Sequence, residues 1–411
     1  MRLLISFAAL FLSVILLQLS TGGVAPLDAI SGLTLDFTTA EIGFLGSAHF
    51  VGFFIGCWWA PRLMGSVGHS RAFAAFTAAG AIGLLMHMMI VDPMAWAVMR
   101  VASGLCVAGC YTVIEAWLQA KVTNKTRGRT MGAYRVADMS ASLAAQLMIS
   151  VLEPASYVSY NLLAIICCAS LLPLTLTKVR QPETPAAPRL RPALALQISP
   201  LAAAGVVVAA LSGAGFRMVG PVYGQQVGLG IDQIAYFLAA FVLGGAIAQV
   251  PAGWLADKFD RRYVMIALSA AAMLSSLVTV LIDTSNVTFV MASALLFGAA
   301  SFPIYSVAAA HANDFATSEQ RVELSAALMF FYATGAIIAP LMSSVLIESF
   351  GPQALFVMIG AAHLLLIVFS LARMLFRPAP VDRTRYIWSP RTSFTIGNLT
   401  KSDREKDDKT H

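Results

Sequence analysis

Charge is what this sequence has least of. Of its 411 residues only 12% are Asp, Glu, Lys or Arg, while 58% are hydrophobic and the mean hydropathy is +0.76. A chain so poor in charge cannot clothe the surface of the two or three soluble domains its length would otherwise suggest. Cysteine is scarce too. Cys57, Cys106, Cys110, Cys167 and Cys168 all fall in apolar runs, with no disulfide framework and no metal-ligand spacing. Cys106 and Cys110 share a helical face but have no third ligand, so no metal and no cofactor is assigned. The H-E-x-x-H and G-x-S-x-G patterns are missing, which leaves no recognisable enzyme site. The phosphate-binding G-x-x-x-x-G-K-[ST] loop is also missing, which excludes ATP as an energy source within this chain.

Long apolar runs stand in place of these features. Crossing the roughly 30 Å hydrocarbon core takes about 20 helical residues. Twelve stretches qualify, at 3–27, 41–61, 71–91, 94–118, 129–150, 157–177, 200–224, 232–256, 262–282, 287–310, 325–347 and 353–375. The first begins like a secretory signal, but its apolar run continues to Leu27 with no small-x-small site behind it, so it is read as a retained helix. The turns at 28–40, 92–93, 151–156, 225–231, 283–286 and 348–352 contain no Lys or Arg. Arg100, Arg135 and Arg217 lie inside spans, and the other basic residues gather at the opposite ends and in the tail. Basic residues mark the cytoplasmic side, so both termini are expected there. This distribution accounts for the net charge of +6 without nucleic acid as a partner.

Residues 178–199 are proline-rich and basic, and read as a cytoplasmic linker between a six-helix bundle at 1–177 and a second at 200–375, with a polar cytoplasmic tail at 376–411. The halves echo one another. Gly104 and Tyr111-Thr112-Val113 recur 194 residues later as Gly298 and Tyr305-Ser306-Val307, Arg127 recurs as Arg321, and Pro26 recurs at a displacement of 195 as Pro221. A repeat of six spans preserves orientation, so the halves would be related by an axis along the membrane normal, with a cavity between them. The expected fold is an all-α polytopic membrane protein of 12 transmembrane helices in two pseudo-symmetric six-helix bundles.

One stretch breaks the scarcity of charge. GWLADKFDRR, 253–262, packs Asp257, Lys258, Asp260, Arg261 and Arg262 into the turn between spans eight and nine. Its Gly253, Asp257, Lys258, Arg261 and Arg262 resemble motif A of the major facilitator superfamily (MFS), with Asp260 where the family usually has Gly. Arg100 with Gly104 and Gly109 resembles the family's motif B. Taken with IEAWLQ (114–119), GRTMGAY (128–134) and PIYSVAAAHANDF (303–315), the chain resembles the YcaD-like bacterial permeases over roughly residues 1–375. The resemblance implies the MFS fold and a cytoplasmic gate in which Asp257 meets the N-terminus of span five near Gly128 while Arg261 or Arg262 reaches Asp314. The equivalent first-half turn, 60–73, keeps Gly68 and Arg71 but has Gly65 or Ser66 where the acid belongs, so the gate is expected mainly in the second half.

Ionisable groups inside a bilayer are expensive and are functional candidates by default. Glu115 and Arg135, at similar depths on consecutive spans, are expected to form a salt bridge, with Asp138 one turn deeper. Arg100 and Arg217 each lie about 10 Å below the periplasmic face by helical rise. The resemblance puts spans one, four, seven and ten around the cavity. There the two guanidiniums would receive an anion; alternatively Arg100 pairs with Asp28 and Arg217 with Glu41. Candidates for substrate contact are Arg100, Arg217, Tyr111, Tyr305 and Gln18. Candidates for coupling are Asp28, Glu115, Arg135 and Asp138, with His49, His87 and His311 also able to titrate.

The expected function is secondary active transport of a small molecule across a bacterial inner membrane by alternating access. The coupling ion would be the proton and the cargo an organic anion, or a drug or metabolite for export. The expected partners are that substrate, protons and the lipid bilayer, with the chain acting as a monomer. The alternative is a non-transporting assembly factor or sensor on the same fold.

Overall fold

The computed structural model describes residues 2–122, 126–176, 188–317, 319–376, 383–389 and 391–394. Its elements are helical: α1 (Arg2–Thr34), α2 (Thr39–Val67), α3 (His69–Met86), α4 (Pro93–Lys121), α5 (Arg127–Met148), α6 (Tyr157–Ala169), α7 (Leu171–Thr175), α8 (Pro192–Ile198), α9 (Pro200–Gln226), α10 (Ile231–Lys258), α11 (Arg261–Leu281), α12 (Val287–Asn313), α13 (Arg321–Phe350) and α14 (Ala354–Phe376). Local chemistry starts these helices where the apolar runs begin. Thr38, Asp92, Ser199, Asp260 and Asn286 each cap a helix by accepting a backbone N–H two or three residues on, which satisfies a donor the first turn leaves open.

Ten of these helical segments, with α6 and α7 counted together, are long and apolar enough to cross a membrane. The two expected spans outside that set are α3 and α5. α3 begins with the polar His69-Ser70-Arg71, and α5 carries Arg129, Arg135, Asp138, Ser142 and Gln146. α5 tolerates this polarity because it packs between α1 and α10 and turns that face inward.

The twelve long segments fall into two bundles with one packing plan. In the first, α2 packs on α4, α3 on α4, α1 on α5, α3 on α6 and α1 on α6. In the second, α10 packs on α12, α11 on α12, α9 on α13, α11 on α14 and α9 on α14. The repeated glycines set the closest of these crossings. A Cβ on Gly104 would strike the His49 carbonyl and lie 2.7 Å from the Phe53 nitrogen of α2, and one on Gly298 would strike the Phe241 carbonyl of α10. Backbone-to-backbone approach of this kind is how helices associate in lipid, where burial of apolar surface gives no net drive.

Between the bundles, α2 meets α13, α1 meets α9 and α5 meets α10. The end bearing the turns without Lys or Arg is shut. A Cβ on Gly43 would overlap Ser344 and one on Gly46 would lie 2.8 Å from Pro340, and Gln226 donates to Thr39 across the divide at 3.3 Å. Two segments differ from expectation. The linker at 178–199 is not irregular throughout, since α8 buries Leu194, Ala195 and Ile198 against α13; residues 178–187 lie outside the described residues. Nor does the tail stay in solvent, because 383–389 and 391–394 run between the bundles. Its aromatic residues, Tyr386, Trp388 and Phe394, supply the apolar surface that makes this burial favourable.

Candidate functional site

A cavity of about 170 Å³ lies between the halves. Helix α1 contributes Gln18, Thr21 and Pro26, α2 contributes His49, α4 contributes Tyr111, and α5 contributes Arg135, Asp138, Ser142 and Gln146. The second half adds Arg217, Phe302 and Tyr332, and the tail adds Trp388, Ser389, Arg391 and Thr392. α5 gives more polar groups than any other helix, and its residues 135, 138, 142 and 146 recur at helical spacing and so share one face.

The polar groups are organised rather than scattered. The Tyr111 hydroxyl donates to Asp138 at 2.5 Å and lies 2.8 Å from the Gln18 side chain, tying α4 to α5 and α1. Asp138 also sits 3.5 Å from Arg135, three residues back on its own helix. His49 and Ser103 share a hydrogen bond of 3.1 Å. Gln18, Tyr111, Arg135 and Asp138 are thus one connected cluster on the cavity wall. Arg217 faces them from α9, with its guanidinium 5.1 Å from the Phe302 ring. Among the described residues it makes no carboxylate ion pair.

Several expectations fail here for identifiable reasons. Arg100 does not converge with Arg217. Arg100 pairs instead with Asp28 of its own bundle, 3.5 Å away, and its far nitrogen donates to the Met218 sulfur of α9 at 3.6 Å; Asp28 in turn lies 3.4 Å from His87 and accepts from Tyr160 at 2.9 Å. Asp28 and Arg100 therefore form a buried cluster behind the cavity rather than lining it. Arg217 does not pair with Glu41, because Glu41 closes a capping box with Thr38 at the start of α2. The Glu115–Arg135 bridge is replaced as well. Arg135 turns to Asp138 and to the ring of Trp388, while Glu115 accepts from Tyr134 at 3.4 Å and from Thr392 and Ser393 of the tail. Tyr305 packs edge-on against Tyr332 and is screened from the cavity by Arg391.

The charged turn between α10 and α11 is the second part of the site. Arg261 reaches Asp314, which caps the end of α12, and also donates to the Ala310 carbonyl at 2.8 Å. Both side chains are 1% exposed. Asp257, 43% exposed, lies 3.6 Å from Arg261 and accepts the Tyr386 backbone N–H at 2.6 Å, so the tail holds it in place of the N-terminus of α5. Gly253 leaves room for the Tyr386 ring, which a Cβ there would meet at 2.7 Å. Lys258 lies over Trp254 and Phe259. Asp260 has a structural job, because it accepts from the Arg262 backbone at 2.9 Å and its side chain at 2.7 Å. Burial pushes its carboxyl upward, but the Arg262 hydrogen bonds outweigh that and hold it below its ordinary value.

The sequence reading passed over Thr21, Ser142, Gln146 and the tail residues. For the first three the i, i+3/i+4 polar stripe on α5 and α1 was an available signal. For the tail, the signal was aromatic residues within an otherwise polar segment.

Residues 202–397 match the Major Facilitator Superfamily. The protein of Escherichia coli named uncharacterized MFS-type transporter YcaD is 28% identical over 386 residues, covering 89% of this chain and 96% of that one. Among solved structures, the nucleoside transporter NupG superposes with a TM-score of 0.72 at 15% identity, covering 90% of this chain and 98% of that one. A bacterial homologue of the human lysosomal transporter Spinster, inward-facing and occupied, gives 0.71 at 14% identity over 90% and 96%. With its two matched helical bundles, its inter-bundle cavity and its charged α10–α11 turn, the chain is a multi-pass membrane protein similar over most of its length to the YcaD-like transporters, and its second half matches the Major Facilitator Superfamily.

Proposed function

We propose that the chain is a secondary active transporter of a small polar molecule, working by alternating access in a bacterial inner membrane as a monomer, with both termini cytoplasmic. The observation that carries this is the polar cavity between the bundles, shut at the end without Lys or Arg and walled by Gln18, Tyr111, Arg135, Asp138 and Arg217. A sensor or assembly factor on this fold has no use for five hydrogen-bonding groups facing a cavity, each costly to hold inside a membrane. Arg217, with its guanidinium lacking a carboxylate partner, is the group suited to an acidic substrate. Asp138, between Tyr111 and Arg135, and Glu115, bound only by hydroxyls, are the candidates to exchange a proton as the halves rock. Asp28 belongs to a buried cluster outside the cavity and is a weaker candidate. The Arg261–Asp314 pair and Asp257 serve as the cytoplasmic gate.

The test is ligand-induced thermal stabilisation of the purified chain across organic anions, cations and neutral metabolites at two pH values. Stabilisation by anions is expected, and Arg217→Ala should raise the anion concentration needed for it about 10- to 150-fold, the value of a hydrogen bond to a charged group. Anion stabilisation untouched by Arg217→Ala would remove that residue from the site. Transport of the hit into proteoliposomes, driven by an imposed pH gradient, tests the coupling.

A further inference from the structure

The tail occupies the place where a substrate has to pass. Residues 383–389 and 391–394 do not lie loosely at the basic end; most of them have a defined partner, those up to Arg391 mainly on the second half and Trp388 and residues 392–394 on the first. Arg383 donates to the Phe259 carbonyl. Thr384 donates to Asp314 from its backbone at 2.8 Å and from its hydroxyl at 2.9 Å, joining the gate pair itself. Tyr386 donates its N–H to Asp257 and its hydroxyl to Gln249 at 3.1 Å. Ser389 donates to Ser306 at 3.2 Å. Arg391 places its guanidinium 5.1 Å from Phe302, 5.4 Å from Tyr332 and 5.9 Å from Tyr305. On the first half, Thr392 and Ser393 both donate to Glu115, and Phe394, 3% exposed, stacks edge-on against Phe54 at 5.8 Å.

We propose that residues 383–389 and 391–394 form an autoinhibitory plug: the chain's own tail fills the path between the halves from the basic end, and it must withdraw before substrate can enter or that end can close. Three features support this over incidental contact. The segment engages groups of the gate (Asp257, Asp314, Arg261) and of the cavity (Arg135, Tyr332, Phe302) at once, so it competes with both steps of a transport cycle. It bridges the bundles, tying Glu115 and Phe54 of one to Ser306 and the aromatic box of the other, so the halves cannot shift against each other at that end without breaking its contacts. Gly253, at the head of the charged turn, gives the Tyr386 ring space that any side chain would take away. The hold is made of non-covalent contacts alone, hydrogen bonds together with cation–π and ring contacts, so the segment can leave without any bond of the chain being broken.

The experiment reads solvent access to Ser306, which the tail covers through Ser389, so it needs no substrate and its outcome is independent of whether the anion reading above holds. Ser306→Cys places a thiol beneath Ser389. Native Cys106, buried within the first bundle, serves as the internal control. The purified chain is treated with a charged, water-soluble maleimide, and the labelling rates at positions 306 and 106 are measured by mass spectrometry. Three proteins are compared, all carrying Ser306→Cys: the full chain, the full chain with Thr392→Asp and Ser393→Asp, and a chain ending at Phe376. Two carboxylates placed against Glu115 repel it strongly in a low-dielectric interior, so the ratio of rates at 306 and 106 is expected to rise about ten-fold or more in the double variant. The truncated chain should show at least the same rise. A ratio in the full-length double variant within about two-fold of the parent overturns the plug, since that variant retains every other contact of the fold.

Discussion

Arg261 and Asp314 offer the sharpest energetic prediction. Each side chain is 1% exposed, so neither charge is screened by water and the discount that applies to surface pairs does not arise. Removing one partner of a buried pair costs about 3–5 kcal/mol, mostly because the other charge is stranded. Two local features adjust that figure for Arg261→Ala. The variant also loses the bond to the Ala310 carbonyl near the end of α12, which adds to the cost. Asp314 keeps the Thr384 N–H and hydroxyl, which subtracts. The net expectation is about 3 kcal/mol, the lower end of the range. Asp314→Asn leaves Arg261 with the Ala310 and Thr384 carbonyls and should cost about 1–3 kcal/mol. The double variant Arg261→Met, Asp314→Leu buries no charge, and should cost less than the sum of the single changes by about 1.5 kcal/mol or more. Equilibrium unfolding in detergent, followed by tryptophan fluorescence, measures all three. An Arg261→Ala cost within about 0.5 kcal/mol of zero, the scale of an ordinary surface change, would mean that the pair does not exist as described.

Two further outcomes follow from the same geometry. Gly104→Ala and Gly298→Ala each drive a methyl group into a backbone carbonyl of the neighbouring helix; each should destabilise its bundle by about 1–3 kcal/mol or more, measured by the same unfolding titration, while Gly65→Ala, where a Cβ meets nothing within 4 Å, should cost no stability. Asp260 has a folded-state carboxyl held below its ordinary value of 3.8. Its stabilising share is therefore present above that pH and is lost as the pH falls through the lower folded value, so the stability gap between the parent and Asp260→Asn should be open at neutral pH and close in strong acid.

The sequence spoke clearly where a single local rule governs. Twelve helical segments and the Gly104/Gly298 echo could both be read from it, because span length and the spacing of small residues are set by the bilayer and by backbone approach. It spoke poorly where direction around a helix mattered. Arg100 and Arg217 lie at matching depths, yet one is held by Asp28 and Met218 outside the cavity and the other lines it, and depth alone carries no information about rotation. Glu115 and Arg135 were paired by depth for the same reason, and each found a nearer partner in Thr392, Ser393 or Asp138. The gate pairing of Arg261 with Asp314 could be anticipated from the resemblance, while the contacts of Asp257 with Tyr386 could not. They depend on a segment 129 residues away in sequence, brought back by no repeat or motif.

Spin labels on the same two helices, α2 and α13, put the central claim to the most direct test. One pair at Ala40 and Glu348 reports the end without basic residues, and another at Ser66 and Glu323 reports the basic end. If the bundles rock about a shared cavity, distance distributions taken across pH, and with the tail in place or removed, should contain two populations in which one pair lengthens as the other shortens. A single unchanging distance at both ends under every condition would contradict alternating access for this protein.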